Sequence, residues 1–108
     1  MPVDLPPPIA LYIKAENAGD VESLSQCFAA DAVVRDEGRT YEGLAAIKAW
    51  KAETKRKYQH TVEPLASARK GDRIVVTSRL TGNFPGSPIE VRFAFTLAGD
   101  KIALLEIG

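Results

Sequence analysis

The sequence is poor in the residues that build metal centres and covalent cross-links. Its 108 residues include one cysteine, Cys27, one histidine, His60, and one tryptophan, Trp50. A single thiol cannot close an intrachain disulfide, which suits a reducing compartment. One histidine with one cysteine cannot make a zinc cluster, and no loop has the Asp/Asn and Gly spacing of a calcium site. No metal and no other cofactor is therefore expected. Net charge is missing too: 14 Lys and Arg balance 14 Asp and Glu. Without an excess of positive charge there is little of the non-specific attraction that drives nucleic-acid binding, so no nucleic-acid partner is expected. No stretch approaches 18 consecutive apolar residues, and Met1 to Pro8 has neither the basic start nor the apolar middle of a secretion signal. Neither membrane association nor export is expected, which leaves the cytoplasm as the expected location.

What is present describes one core. Apolar residues make up 45% of the chain and charged residues 26%, an ordinary globular balance. Residues 1–108 are expected to form a single domain, with 1–7 a Pro-rich lead, and this length buries enough surface to fold without a disulfide or a metal. Pro8 can open a helix, where its missing N–H costs nothing. That helix runs to about Asn17 and stops at Asn17-Ala18-Gly19. Ile9, Tyr12, Ile13 and Glu16 share one of its faces. Asp20 is a natural N-cap for a second helix striped by Val21, Leu24 and Phe28. Ala32 to Asp36 reads as a short strand, Arg39 to Tyr41 as its return, and a third helix from about Gly43 carries Leu44, Ile47, Trp50, Thr54 and Tyr58 on one side. From Thr61 onward the pattern is β: 61–69, 73–82, 89–97 and 101–107. In the third of these, Ile89, Val91, Phe93, Phe95 and Leu97 alternate with polar or small residues. Helices followed by an antiparallel meander predict the α+β class.

The order of these elements meets specific words in the text. Asn17-Ala18-Gly19-Asp20 with Leu24, Phe28-Ala29-Ala30-Asp31-Ala32-Val33-Val34, Gly43-x-x-Ala46-Ile47-x-x-Trp50, and the closing Asp100-Lys101-Ile102 strand together resemble the nuclear transport factor two-like superfamily. The SnoaL-like polyketide cyclases and the ketosteroid isomerases belong to it. The resemblance spans roughly Pro8 to Gly108. It implies a cystatin-like cone, three N-terminal helices packed on a curved, mainly antiparallel sheet, with a pocket between them for a small apolar ligand or substrate and a homodimer formed through the sheet. It does not imply one reaction, because such folds host isomerases, cyclases, lyases and members without chemistry.

Two positions resemble the ketosteroid isomerase pattern. Asp36 falls where that family keeps its general base, and Tyr12 where it keeps the tyrosine that donates to the oxyanion. Trp50 matches an aromatic lining the pocket, and Phe28, Phe84, Phe93 and Phe95 complete the expected substrate-binding set. The pattern is broken at two places: no Asp stands in Ile89-Glu90-Val91-Arg92-Phe93, where the second oxyanion donor would be, and Lys51 replaces the supporting tyrosine after Trp50. Read from the residues alone, a carboxylate at the end of an apolar strand becomes a proton acceptor when burial raises its pKa. Asp36 could equally cap the turn Asp36-Glu37-Gly38, and Tyr12 could be a core aromatic with its hydroxyl at an edge. Glu90 and Arg92 share a strand face better suited to solvent or a dimer surface. His60 stands at the junction after the third helix. Lys55-Arg56-Lys57 complements the negative end of that helix, and Cys27 reads as an inert buried thiol. The functional expectation is an acid/base isomerase, cyclase or lyase acting on a small apolar carbonyl compound, with a non-catalytic binding or dimeric interaction domain as the alternative.

Overall fold

A computed structural model describes residues 5–36 and 38–108. Met1–Asp4 of the Pro-rich lead, and Glu37 of the first hairpin turn, lie outside the described residues. Helix α1 spans Pro7–Ala18. Two prolines in its first turn pre-set the backbone without losing a hydrogen bond. Gly19 ends it at φ 68°, and the N–H groups of Gly19 and Asp20 are taken up by the carbonyls of Glu16 and Ala15, as the stop signal in the sequence requires.

The second helix differs from its expectation. Asp20 does fold the chain back, accepting hydrogen bonds from the Ser23 hydroxyl at 2.6 Å and the Ser23 amide at 3.3 Å, but only α2, Leu24–Cys27, is α-helical. Phe28, expected on the helix stripe, begins strand β1, Phe28–Asp36, by pairing with Ile102. Long-range pairing together with the β-branched Val33 and Val34 overrides the weak local helical pattern. The hairpin of β1 and β2, Arg39–Glu42, then intervenes before α3, Leu44–Tyr58. Of the three expected helices, the described residues form two full helices and a single turn, with the expected hairpin standing before α3.

Strands β3 (Thr61–Lys70), β4 (Arg73–Thr81), β5 (Ile89–Ala98) and β6 (Lys101–Ile107) complete one six-stranded sheet in the order β2-β1-β6-β5-β4-β3. It is antiparallel except where β1 runs parallel to β6. Register breaks at Phe28/Val33, Pro64/Ala66 and Thr96/Leu97 bend and twist it. Strand parity sorts the side chains. Ile74, Val76 and Ser78 of β4 are buried while Val75 is not, and Phe93 and Phe95 face the same core. Ile9, Tyr12 and Ile13 of α1 and Ile47 and Trp50 of α3 close over this face. No helix among the described residues is long and apolar enough to cross a membrane.

Candidate functional site

The inward face of α1 sets out Ile9, Tyr12, Ile13 and Glu16 at helical spacing, so a carboxylate is carried into the core with the apolar residues. Glu16 is 3% exposed. Its two oxygens are divided: one meets the ammonium of Lys51 on α3, the other the Nε2 of His60. Both partners are buried as well, at 7% and 5%. The ammonium of Lys51 also lies 4.0 Å from the centre of the Trp50 ring and 5.5 Å from that of Tyr12, so aromatic faces complete its surroundings.

His60 is placed by the backbone on either side of it. Gln59, at φ 49°, ends α3 with its N–H on the carbonyl of Lys55. Lys55 in turn gives its ammonium to the carbonyl of His60. Gly82 crosses directly above: a Cβ there would stand 2.9 Å from the Cα and Cβ of His60 and from the carbonyl oxygen of Tyr58, closer than packed atoms allow. The end of α1 is fastened to the same region, because the Asn17 side chain donates to the carbonyl of Val62 at 2.9 Å and accepts from its amide at 2.7 Å.

Electrostatics follow from this enclosure. Burial alone would raise the Glu16 carboxyl, but the charge of Lys51 and the hydrogen bonds from His60 and Lys51 outweigh it and hold the group down at about 2. Burial lowers Lys51 from its ordinary value, and the Glu16 charge opposes that shift. Tyr12 is pushed well above the usual phenol range, first by burial and then by Glu16, with Cys27 and Asp36 adding to the effect. Its hydroxyl is therefore a proton holder, near Glu16 but without a hydrogen bond of full geometry. Burial also pushes the Cys27 thiol up to about 11, which makes it a poor nucleophile.

Asp36 closes β1 on the same face as Ala32 and Val34 and is half-buried. Its charge acts on both Tyr12 and Lys51. It borders a cleft of about 250 Å³ with Arg35, Gly38, Arg39, Thr40, Glu106 and Ile107. A much smaller cavity of about 10 Å³ lies beside Glu16 and Lys51, between the end of α1, α2 and α3; this is about the space of one water molecule.

The expected aromatic lining is divided. Phe28, Phe93 and Phe95 surround Tyr12 with ring centres at 5.6, 6.3 and 5.6 Å. Trp50 instead stacks on Tyr41 at 5.3 Å. Phe84 packs on Tyr58 at the far end of α3, two helical turns beyond Trp50. Glu90 and Arg92 are exposed. Among the described residues, no three of His, Cys, Asp or Glu gather where they could hold a metal ion.

In the sequence Glu16 lies on the apolar face of its helix without a role, Lys51 is a departure from the family pattern, and His60 is a junction residue after the third helix. The signal for Glu16 was a lone carboxylate one turn beyond Tyr12 on an otherwise apolar stripe. No comparable signal joins it to Lys51 and His60, which are far away along the chain.

Residues 9–105 match the model of the SnoaL-like domain. The chain belongs to the SnoaL-like family. Its similarity extends to a crystal structure from Sinorhizobium meliloti, of a protein provisionally assigned as a polyketide cyclase. The two are 40% identical over 97% of this chain and 96% of the other, with a TM-score of 0.93. A Catenulispora acidiphila protein with a ketosteroid isomerase-like fold, solved with trimethylamine, is 22% identical with a TM-score of 0.84 over 97% and 86% of the two chains. A cystatin-fold protein from Novosphingobium aromaticivorans is 22% identical with a TM-score of 0.77, covering 94% of each chain. These last two establish the fold alone. No functionally curated protein matches the chain. The nuclear transport factor two-like resemblance read from the sequence words is thereby confirmed, as is an α+β cystatin-like fold with a curved, mainly antiparallel sheet. Within this SnoaL-like chain, ionisable groups gather in the buried set of Glu16, Lys51 and His60 and around the cleft that Asp36 borders.

Proposed function

We propose that this SnoaL-like protein catalyses proton transfer on a small carbonyl compound, in an isomerase, cyclase or lyase step, with Asp36 as the proton acceptor and Tyr12 as the hydrogen-bond donor to the developing oxyanion. The observation that carries this reading is the position of Asp36. It ends an inward strand face, borders a cleft of about 250 Å³, and exerts its charge on Tyr12 and Lys51. A base must reach substrate while a neutral donor or a cation faces the oxygen on which charge develops. Tyr12 suits the donor role because burial keeps its proton on. The provisional assignment of the Sinorhizobium meliloti relative as a polyketide cyclase favours ring closure of a dicarbonyl chain. The test uses a linear diketone that closes to a conjugated enone, followed by absorbance. Asp36→Asn is expected to slow closure by about 10²-fold or more; an unchanged rate, or a wild-type rate no faster than buffer, would sink the reading.

A second reading, a non-catalytic ligand-binding or dimeric interaction domain, is favoured by the ring-to-ring packing of Tyr12, Phe28, Phe93 and Phe95, residues that an open apolar pocket would instead present to a ligand. In either reading we propose a homodimer through the outer sheet face, where Val75, Ala94 and Leu104 are only half-buried. Sedimentation showing a monomer at micromolar concentration would remove that assembly.

A further inference from the structure

We propose that the cleft at Asp36 selects carbonyl compounds that carry a carboxylate, and that Arg39 is the residue that holds this acid group. The inference rests on the reading of Asp36 as the reacting group and adds a substrate class to it. An apolar substrate was expected from the sequence, but the cleft is not apolar. Its lining comprises two guanidinium side chains, two carboxylates and a hydroxyl, with Ile107 as its one large apolar side chain among the described residues.

The guanidiniums differ in what they already bind. Arg35 lies 3.4 Å from one oxygen of Glu106, and Arg73 on β4 lies 3.2 Å from the other. Two cations thus share one carboxylate, so Arg35 is already committed to a partner of its own chain. Arg39 is exposed and makes no ion pair among the described residues. Its position is fixed by the hairpin register, in which Arg39 stands directly opposite Asp36 across the β1–β2 ladder. Side chains opposite one another in this way leave the sheet on the same face, with Cβ atoms about 5 Å apart. A base and a guanidinium are therefore presented side by side to whatever enters.

Chemistry and size then limit the occupant. Guanidinium and carboxylate match in a planar, two-bond geometry, which a neutral ester cannot reproduce with the same strength. The volume of about 250 Å³ is below the roughly 300–1,000 Å³ of pockets for drug-sized ligands. It suits a short keto acid, with its carbonyl near Asp36 and its acid group at Arg39. Asp36 bears the same sign as such a ligand, so it weakens binding while preparing the reaction.

The test compares levulinate with its methyl ester, which keeps the ketone and removes the charge, by calorimetric titration of the full chain. Wild type is expected to bind levulinate at least tenfold more tightly than the ester. Arg39→Met should abolish the preference, and Arg39→Lys should keep part of it. Asp36→Asn should bind levulinate as well as wild type or better, because a like charge is removed. Equal or tighter binding of the ester to wild type, binding of neither compound, or a preference unchanged in Arg39→Met would each overturn the proposal. The two readings fail separately. If Asp36→Asn leaves diketone closure intact while Arg39 still governs the preference for levulinate, proton transfer falls and the carboxylate site stands. If Asp36→Asn stops closure while the ester binds as tightly as the acid, the reverse holds.

Discussion

Glu16 and Asp36 are both carboxylates on inward faces of regular elements, yet the fold treats them in opposite ways. Glu16 is enclosed, each oxygen committed to a cation or a ring nitrogen of another element. Asp36 stands at the rim of a cleft, and its charge reaches inward to Tyr12 and Lys51. The difference separates two uses of a buried-face acid. A group engaged by its own chain ties α1 to α3 and to the turn after it, and a group that still meets solvent can exchange a proton with a ligand. The enclosed set is thus structural in its energetics, and the open one is where chemistry is proposed.

The comparison breaks most visibly at Lys51. Lys51→Met leaves the Glu16 carboxylate buried beside His60 without its ammonium, and loss of one partner of a buried pair costs about 3–5 kcal/mol. Urea denaturation should show this as a large drop in midpoint, largely restored in the double variant Lys51→Met/Glu16→Gln; a loss under about 1 kcal/mol would mean that the pair does not form. Acid gives the next largest effect. The folded-state value of Glu16 lies below its unfolded value, so its contribution is complete above pH 4.5 and is lost as pH falls toward about 2. The interval corresponds to about 3 kcal/mol at most. Stability measured from pH 6 down to pH 2 should fall steeply in wild type and less so in Glu16→Gln. The smallest effect belongs to Asp36. Asp36→Asn is expected to change stability by less than about 1 kcal/mol, whatever it does to turnover. A large thermal destabilisation in this variant would place Asp36 with Glu16 on the structural side.

Much of this organisation is legible along the chain, and the limits are physical. The α1 face and the alternation in β5 were readable because each is a property of one element and its period. The choice between Ile74 and Val75 was not, since both are apolar and only pairing with β5 decides which faces inward. Phe28 reads as helical but belongs to β1, because a helical stripe of three residues competes poorly with a ladder to Ile102, which lies 74 positions later. The enclosed cluster escaped for a related reason. Helical spacing places Glu16 inward but says nothing of what lies opposite, and Lys51 and His60 are brought there by the docking of α3 and the turn at Gln59. The alignment of Asp36 with Arg39 depended on hairpin register, which sequence leaves open.

Asn17 joins these two kinds of information in one side chain. Its amide offers the first residues of β3 a donor and an acceptor in the manner of a neighbouring strand, so Val62 is paired on that side by a helix terminus 45 positions earlier. The main-chain proton of Val62 can then exchange with solvent only when α1 lifts from the sheet. Its exchange rate is consequently a clock for how often the roof of the cone opens, read at an atom that belongs to the wall.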